Sequence, residues 1–260
     1  MAMIKIDLPQ IFIPLLNGFG QIMLQRSARA GFLFIAGIWA HSWVMALGAV
    51  LGALTGSITA YLCRCRPEDI RAGLYGFNGC LVGIALSFFY APGMGNVLFI
   101  ATGGALSALV MRRMLNWKKH LPPYTAPFIV VTWALLPVGE LFGLNPAVTA
   151  TLNPAGDGFT VLRGLGQVMF QDYWITGLIF TAGLALHSRQ ATAWALIGSA
   201  VGLIAARSLG FPENLAVAGV FSFNGVLTGI ALSDRFQKKC HGAAGRHHLF
   251  SGTCTRISAC

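Results

Sequence analysis

The sequence predicts an all-α polytopic membrane protein. It is built of two inverted-topology repeats of transmembrane helices with re-entrant pore half-helices, the second repeat incomplete. Three observations carry that reading. The 260-residue chain is 55% hydrophobic and only 10% charged, where soluble domains carry about a quarter charged residues. The segment Leu74–Ser87 returns as Val220–Ser233, displaced by 146 residues, and the same displacement carries Gly20–Gln25 onto Gly166–Gln171 and His41-Ser42 onto His187-Ser188. Several blocks sharing one offset in an apolar chain mark a duplicated membrane unit. The third observation is where the basic residues fall.

Arg26 and Arg29, then Arg64, Arg66 and Arg71, then Arg112, Arg113, Lys118 and Lys119 form three clusters, while the turns near His41 and Phe88–Asn96 carry none. Basic residues in alternate loops follow the positive-inside rule. The net charge of +10 is therefore read as topology rather than as affinity for nucleic acid. With the clusters cytoplasmic, the amino terminus is inside and the 144–157 connection is outside. Five crossings then make the first repeat, and an odd number sets the second repeat in the opposite sense. Arg189 in the turn after His187 and the basic stretch Asp234–Lys239 agree with that inversion.

In order along the chain, Pro9–Met23 is apolar but broken by Pro14 and Asn17-Gly18, too short for a full crossing of about 20 residues. It reads as a half-helix, tolerated only where protein or an aqueous cavity shields its backbone. Met1–Gln10 has no long apolar core, so no cleavable signal peptide is expected. Spanning helices are expected from about Ala30, over Ala46–Leu62, over Asp69–Phe88 and over Gly95–Leu115. Leu121-Pro122-Pro123-Tyr124-Thr125-Ala126-Pro127-Phe128 opens the fifth, its prolines leaving carbonyls without helical partners. The second repeat shows a half-helix near Phe159–Phe170 and three further elements to about Ser233. This gives a first repeat over 1–143, a connection over 144–157, a shortened repeat over 158–233 and an unrelated basic tail over 234–260.

Polar residues at membrane depth are the functional candidates. Gln21 and Gln167 occupy equivalent places in the two half-helices, and a neutral amide both donates and accepts hydrogen bonds. Such groups replace water around a neutral polar solute without placing charge in the bilayer. The absence of Asp, Glu and Lys from the repeated motifs disfavours proton relays. Phe77 with Leu81, and Phe223 with Leu227, are i,i+4 pairs on one helical face. Apolar faces opposite a line of acceptors make a narrow slot for a flat uncharged molecule and strip hydrated ions without compensation. Asn78 and Asn224 are read as satisfying backbone groups at a helix interruption, and His41 and His187 as turn residues. Gln25 and Gln171 either meet solute or close the half-helix ends. Cys63-x-Cys65 lacks a second ligand pair, so neither a metal nor another cofactor is expected.

The Gly-x-Gln-x-x-(Leu/Phe) half-helix, Leu74–Gly83 and Leu121–Phe128 together resemble the urea transporter family over roughly residues 8–233. The resemblance implies a homotrimer in the cell inner membrane, each subunit holding its own passive, channel-like urea pore, and no enzymatic activity. Carried over by residue, Gln21 and Gln167 would contact urea near the ends of the filter. Phe77, Leu81, Phe223 and Leu227 would form the slot, with Leu24 and Phe170 beside them, and Thr125 would be a mid-pore threonine. Family members commonly carry Phe at the Leu24 position, so the slot differs there. A second copy of the proline motif would start near residue 267; Asp234–Cys260 instead holds basic residues, histidines and cysteines. It reads as truncation or a changed reading frame, against a metal-binding or plain solvated tail. The rival functional readings are an ion-coupled transporter of a small polar solute, a membrane enzyme or metal protein using the histidines and cysteines, and an inactive channel remnant.

Overall fold

The computed structural model describes residues 8–117, 123–147 and 157–244, which are helical apart from their connections. The first half-helix, α1 (Leu8–Ile22), ends in a tight turn in which the Gln25 amide nitrogen returns to the Gly20 carbonyl at 2.9 Å. Ser27 then caps α2 (Ala28–His41), and Ser42 caps α3 (Trp43–Leu62) by accepting from the Met45 N–H. At 20 residues α3 is about 30 Å long, enough to cross the hydrocarbon. The stretch expected as one helix over Asp69–Phe88 is two pieces: α4 (Pro67–Arg71) and α5 (Gly76–Phe89), separated by a turn at Gly73 with φ +80°. The glycines bracketing Leu74-Tyr75 make that break. Next come α6 (Met94–Trp117) and α7 (Ala126–Leu141). Leu121 and Pro122 of the proline motif, and most of the 144–157 connection, lie outside the described residues.

The second repeat rebuilds the first. Its half-helix is α8 (Asp157–Gly166) continued by a 3-10 turn over Gln167–Met169. It is followed by α9 (Trp174–His187), α10 (Arg189–Ser208), α11 (Glu213–Val217) and α12 (Phe223–Ala244). The bounds of α9, α10 and α11 are those of α2, α3 and α4 moved by 146 residues at both ends. No apolar run supports a helix past Ser233, yet α12 continues to Ala244; Gln237, Lys238 and Lys239 are good helix formers that need no burial. His247, His248, Cys254 and Cys260 lie outside the described residues.

The repeats meet through α2 and α9, which run antiparallel. Phe34 faces Gly183 while Gly37 faces Phe180: a Cβ built on either glycine would lie 2.7 Å from the opposing ring. The two phenylalanines pack edge to face at 5.2 Å between centroids. Further along, the Thr176 hydroxyl donates to the Gly37 carbonyl at 2.8 Å, and His41 at the end of α2 reaches Asp172 just before α9. Reciprocal pairing of equivalent residues is the mark of a two-fold axis. Antiparallel equivalent helices set the two modules in opposite senses, as the charge pattern predicts.

Within each repeat, small residues bring backbones together. Any side chain on Gly52 of α3 would collide with the Gly79 carbonyl of α5, and Gly198 of α10 meets Gly225 of α12 in the same way. Close approach of this kind is how helices associate in lipid, where burial against tails supplies no hydrophobic drive.

Candidate functional site

The site is built where each half-helix stops short and meets the broken helix of its own repeat. The Gln21 side-chain amide donates to the Ala72 carbonyl at 3.1 Å, and Gln167 donates to the Ala218 carbonyl at 3.0 Å. One residue earlier in each break, Asn17 donates to the Arg71 carbonyl and Arg163 to the Val217 carbonyl. These carbonyls end α4 and α11, where no next helical turn supplies an N–H. Donation through nitrogen turns each glutamine's oxygen away as an acceptor.

The turns after the half-helices carry bulky residues in the left-handed region: Leu24 at φ 58° and Phe170 at φ 59°. Such a conformation is uncommon for a side chain with a Cβ and costs of order 1–3 kcal/mol, so it persists only where the surroundings over-determine it. Gln25 and Gln171, both buried, hold the turns by donating to the Met23 and Met169 carbonyls at 2.9 and 2.7 Å. They close the half-helix ends.

Six expected residues belong to or pack against the main apolar core. Phe77 and Leu81 are buried within it, and Leu24, Phe170, Phe223 and Leu227 pack against it with Phe128. The Phe170 ring lies 5.5 Å from Phe88 and 6.3 Å from Phe128 between centroids. Equivalent residues of opposite repeats thus contribute to one continuous apolar core, which sequence offset alone does not require.

Thr125 sits at the cap of α7, half-buried, just after Tyr124 with φ 45°. Asn78 fixes this segment from both sides, its side chain donating to the Tyr124 carbonyl at 3.2 Å and accepting from the Phe128 N–H at 3.0 Å. Asn78 thus serves a broken backbone, as expected for an asparagine at an interruption. Asn224, its equivalent, is exposed, because nothing among the described residues covers α12 as α7 covers α5.

Two features escape the sequence reading. Arg163 is a buried cation inside the second half-helix, at the place of Asn17 in the first; a lone arginine in α8 was the available signal. His41, expected as a turn residue, reaches across to the other repeat. Its Nδ1 lies 2.7 Å from Gln171 Oε1 and its Nε2 3.2 Å from Asp172 Oδ1, with the ring stacked on Tyr173. The hydrogen bond from His41 holds the Asp172 carboxyl, in the loop before α9, below the usual carboxylate range against the opposing effect of burial.

A family model described as urea transporter matches residues 13–260. The chain is also similar to Urea transporter 1 of Ovis aries, 27% identical over 94% of this chain and 67% of the relative. Urea transporter 1 of Capra hircus and of Rattus norvegicus show the same identity and coverage.

Proposed function

The chain belongs to the urea transporter family, and from that premise we propose how its residues pass the solute. It is a multi-pass membrane protein that transports urea passively, in the manner of a channel. Gln21 and Gln167 take urea's amide hydrogens on their side-chain oxygens at the two ends of a slot. Phe77, Leu81, Phe223 and Leu227 close on the planar faces, Leu24 and Phe170 narrow the approaches, and Thr125 supplies a polar group partway.

The observation that carries the proposal is the matched pair of amides, each pinned by its nitrogen to the break in its own repeat, in a fold whose main apolar cluster draws on both repeats. Urea loses water on entering and regains acceptors only at fixed points, whereas a hydrated ion meets no compensating charge on the side chains assigned to the slot. Both amides and the cluster come from a single chain, which supports one pathway per subunit of a homotrimer. The alternating basic loops support insertion in the inner membrane with the amino terminus in the cytoplasm.

Stopped-flow light scattering of proteoliposomes tests the reading. Urea flux should rise in proportion to the gradient and be indifferent to ionophores. Collapse of flux when proton or sodium gradients are dissipated would favour ion-coupled transport instead.

A further inference from the structure

Among the differences between the two mouths, one contact joins the repeats. Where α2 ends, His41 bridges to Gln171 and Asp172 of the opposite repeat. Moving that contact by the repeat displacement puts His187 opposite Gln25 and Arg26, so the carboxylate partner of one mouth is replaced by a cation at the other. The His41 bridge is therefore a feature of one mouth only, and duplication does not account for it.

We propose that His41 is a positioning residue for urea passage, a proton-dependent latch that holds the Phe170 turn at one mouth of the slot. The proposal rests on the urea pathway described above. The Gln171 amide is oriented by its nitrogen, which donates to the Met169 carbonyl at 2.7 Å and lies 3.7 Å from the Met45 sulfur. Its oxygen is therefore the atom facing Nδ1. Both ring nitrogens of His41 face acceptor oxygens. Only the imidazolium has two N–H donors; either neutral tautomer puts a lone pair against one of the oxygens.

The charged and titratable groups around the ring are Asp172, Tyr173 stacked on it at 5.8 Å, and Arg163 of α8, whose charge acts on Asp172. The neighbouring residues of α3, Trp43 and Met45, are neutral. Phe170 is adjacent to Gln171 and holds a left-handed backbone that its surroundings must enforce. With the latch made, the Phe170 ring stays against Phe88 and Phe128; with one bond lost, the turn keeps its Gln171–Met169 bond, as the Leu24 turn keeps its own, but its tie to α2 loosens and the ring shifts from the geometry that sets the slot.

The test is urea flux in proteoliposomes between about pH 5.5 and 8.5, a range spanning ordinary histidine titration. The wild-type chain should slow by about tenfold toward the alkaline end, the lower weight of one lost hydrogen bond to a charged group. His41→Gln should flatten the profile, Asp172→Asn should move its midpoint to lower pH, and His187→Gln should leave it unchanged. If His41→Gln does not elute as a folded species, the Asp172→Asn shift alone decides. Fast flux that is flat with pH in the wild-type chain, or an unaltered profile in His41→Gln or Asp172→Asn, would overturn the latch and leave the pathway standing. Absence of urea flux at every pH would instead overturn the pathway, and the latch with it.

Discussion

Gln21 and Gln167 serve the fold and, in the proposed pathway, passage as well. Each nitrogen satisfies a carbonyl stranded at a helix break, and each oxygen is thereby left as an acceptor of fixed direction. Replacing Gln21 with Leu removes both services at nearly constant volume. Urea flux should fall about tenfold, the cost of one unsatisfied polar group on the path, and Gln167→Leu should do the same in the other repeat. Stopped-flow rates, normalised to the amount of reconstituted protein, check this; unchanged rates in both variants would remove the glutamines from the site. The duplicated motif made these residues legible as candidates, because a neutral amide in an apolar half-helix stands out. The His41 bridge was not legible. Sequence equivalence pairs His41 with His187, whereas a two-fold axis makes each residue the neighbour of something other than its own equivalent. Gln171 and Asp172 lie 130 and 131 positions from His41, an interval that no repeat marks.

At the scale of elements, the architecture depends on backbones meeting without side chains between them. Gly52 sits against Gly79, Gly198 against Gly225, and in both repeats this brings the broken helix alongside an intact one. Gly52→Val should destabilise the protein by roughly 3 kcal/mol, since the obstacle is backbone and cannot rotate away. Gly93→Val, where an added Cβ meets nothing within 4 Å, should be silent. The temperature at which half the detergent-purified protein loses its monodisperse elution reads out the difference, and equal values for the two variants would refute the packing argument. Helix bounds were largely visible in hydropathy, and α3 begins near its expected place. The break between α4 and α5 was not, because Ala72-Gly73-Leu74-Tyr75-Gly76 runs without a charge into the apolar α5. Only the left-handed Gly73 reveals that hydrophobicity persists there while the helix does not.

At the scale of the molecule, the fold is two copies of one module related by a two-fold axis, with α2 and α9 antiparallel between them. Charge distribution announced the inversion, and the reciprocal packing of Phe34 on Gly183 and Phe180 on Gly37 is its physical form. The copies are not equally enclosed: Asn78 is fully buried beneath α7 while Asn224 is exposed. The central claim is that residues from both copies line one path for urea. Leu227 tests it most directly, because it belongs to the second copy, is only half-buried, and packs against a cluster containing Phe77 and Leu81 of the first. Leu227→Trp should abolish stopped-flow urea flux while the protein still reconstitutes, and Leu98→Trp, on a surface that is 58% exposed, should conduct as the wild type does. Undiminished flux through Leu227→Trp would contradict the account.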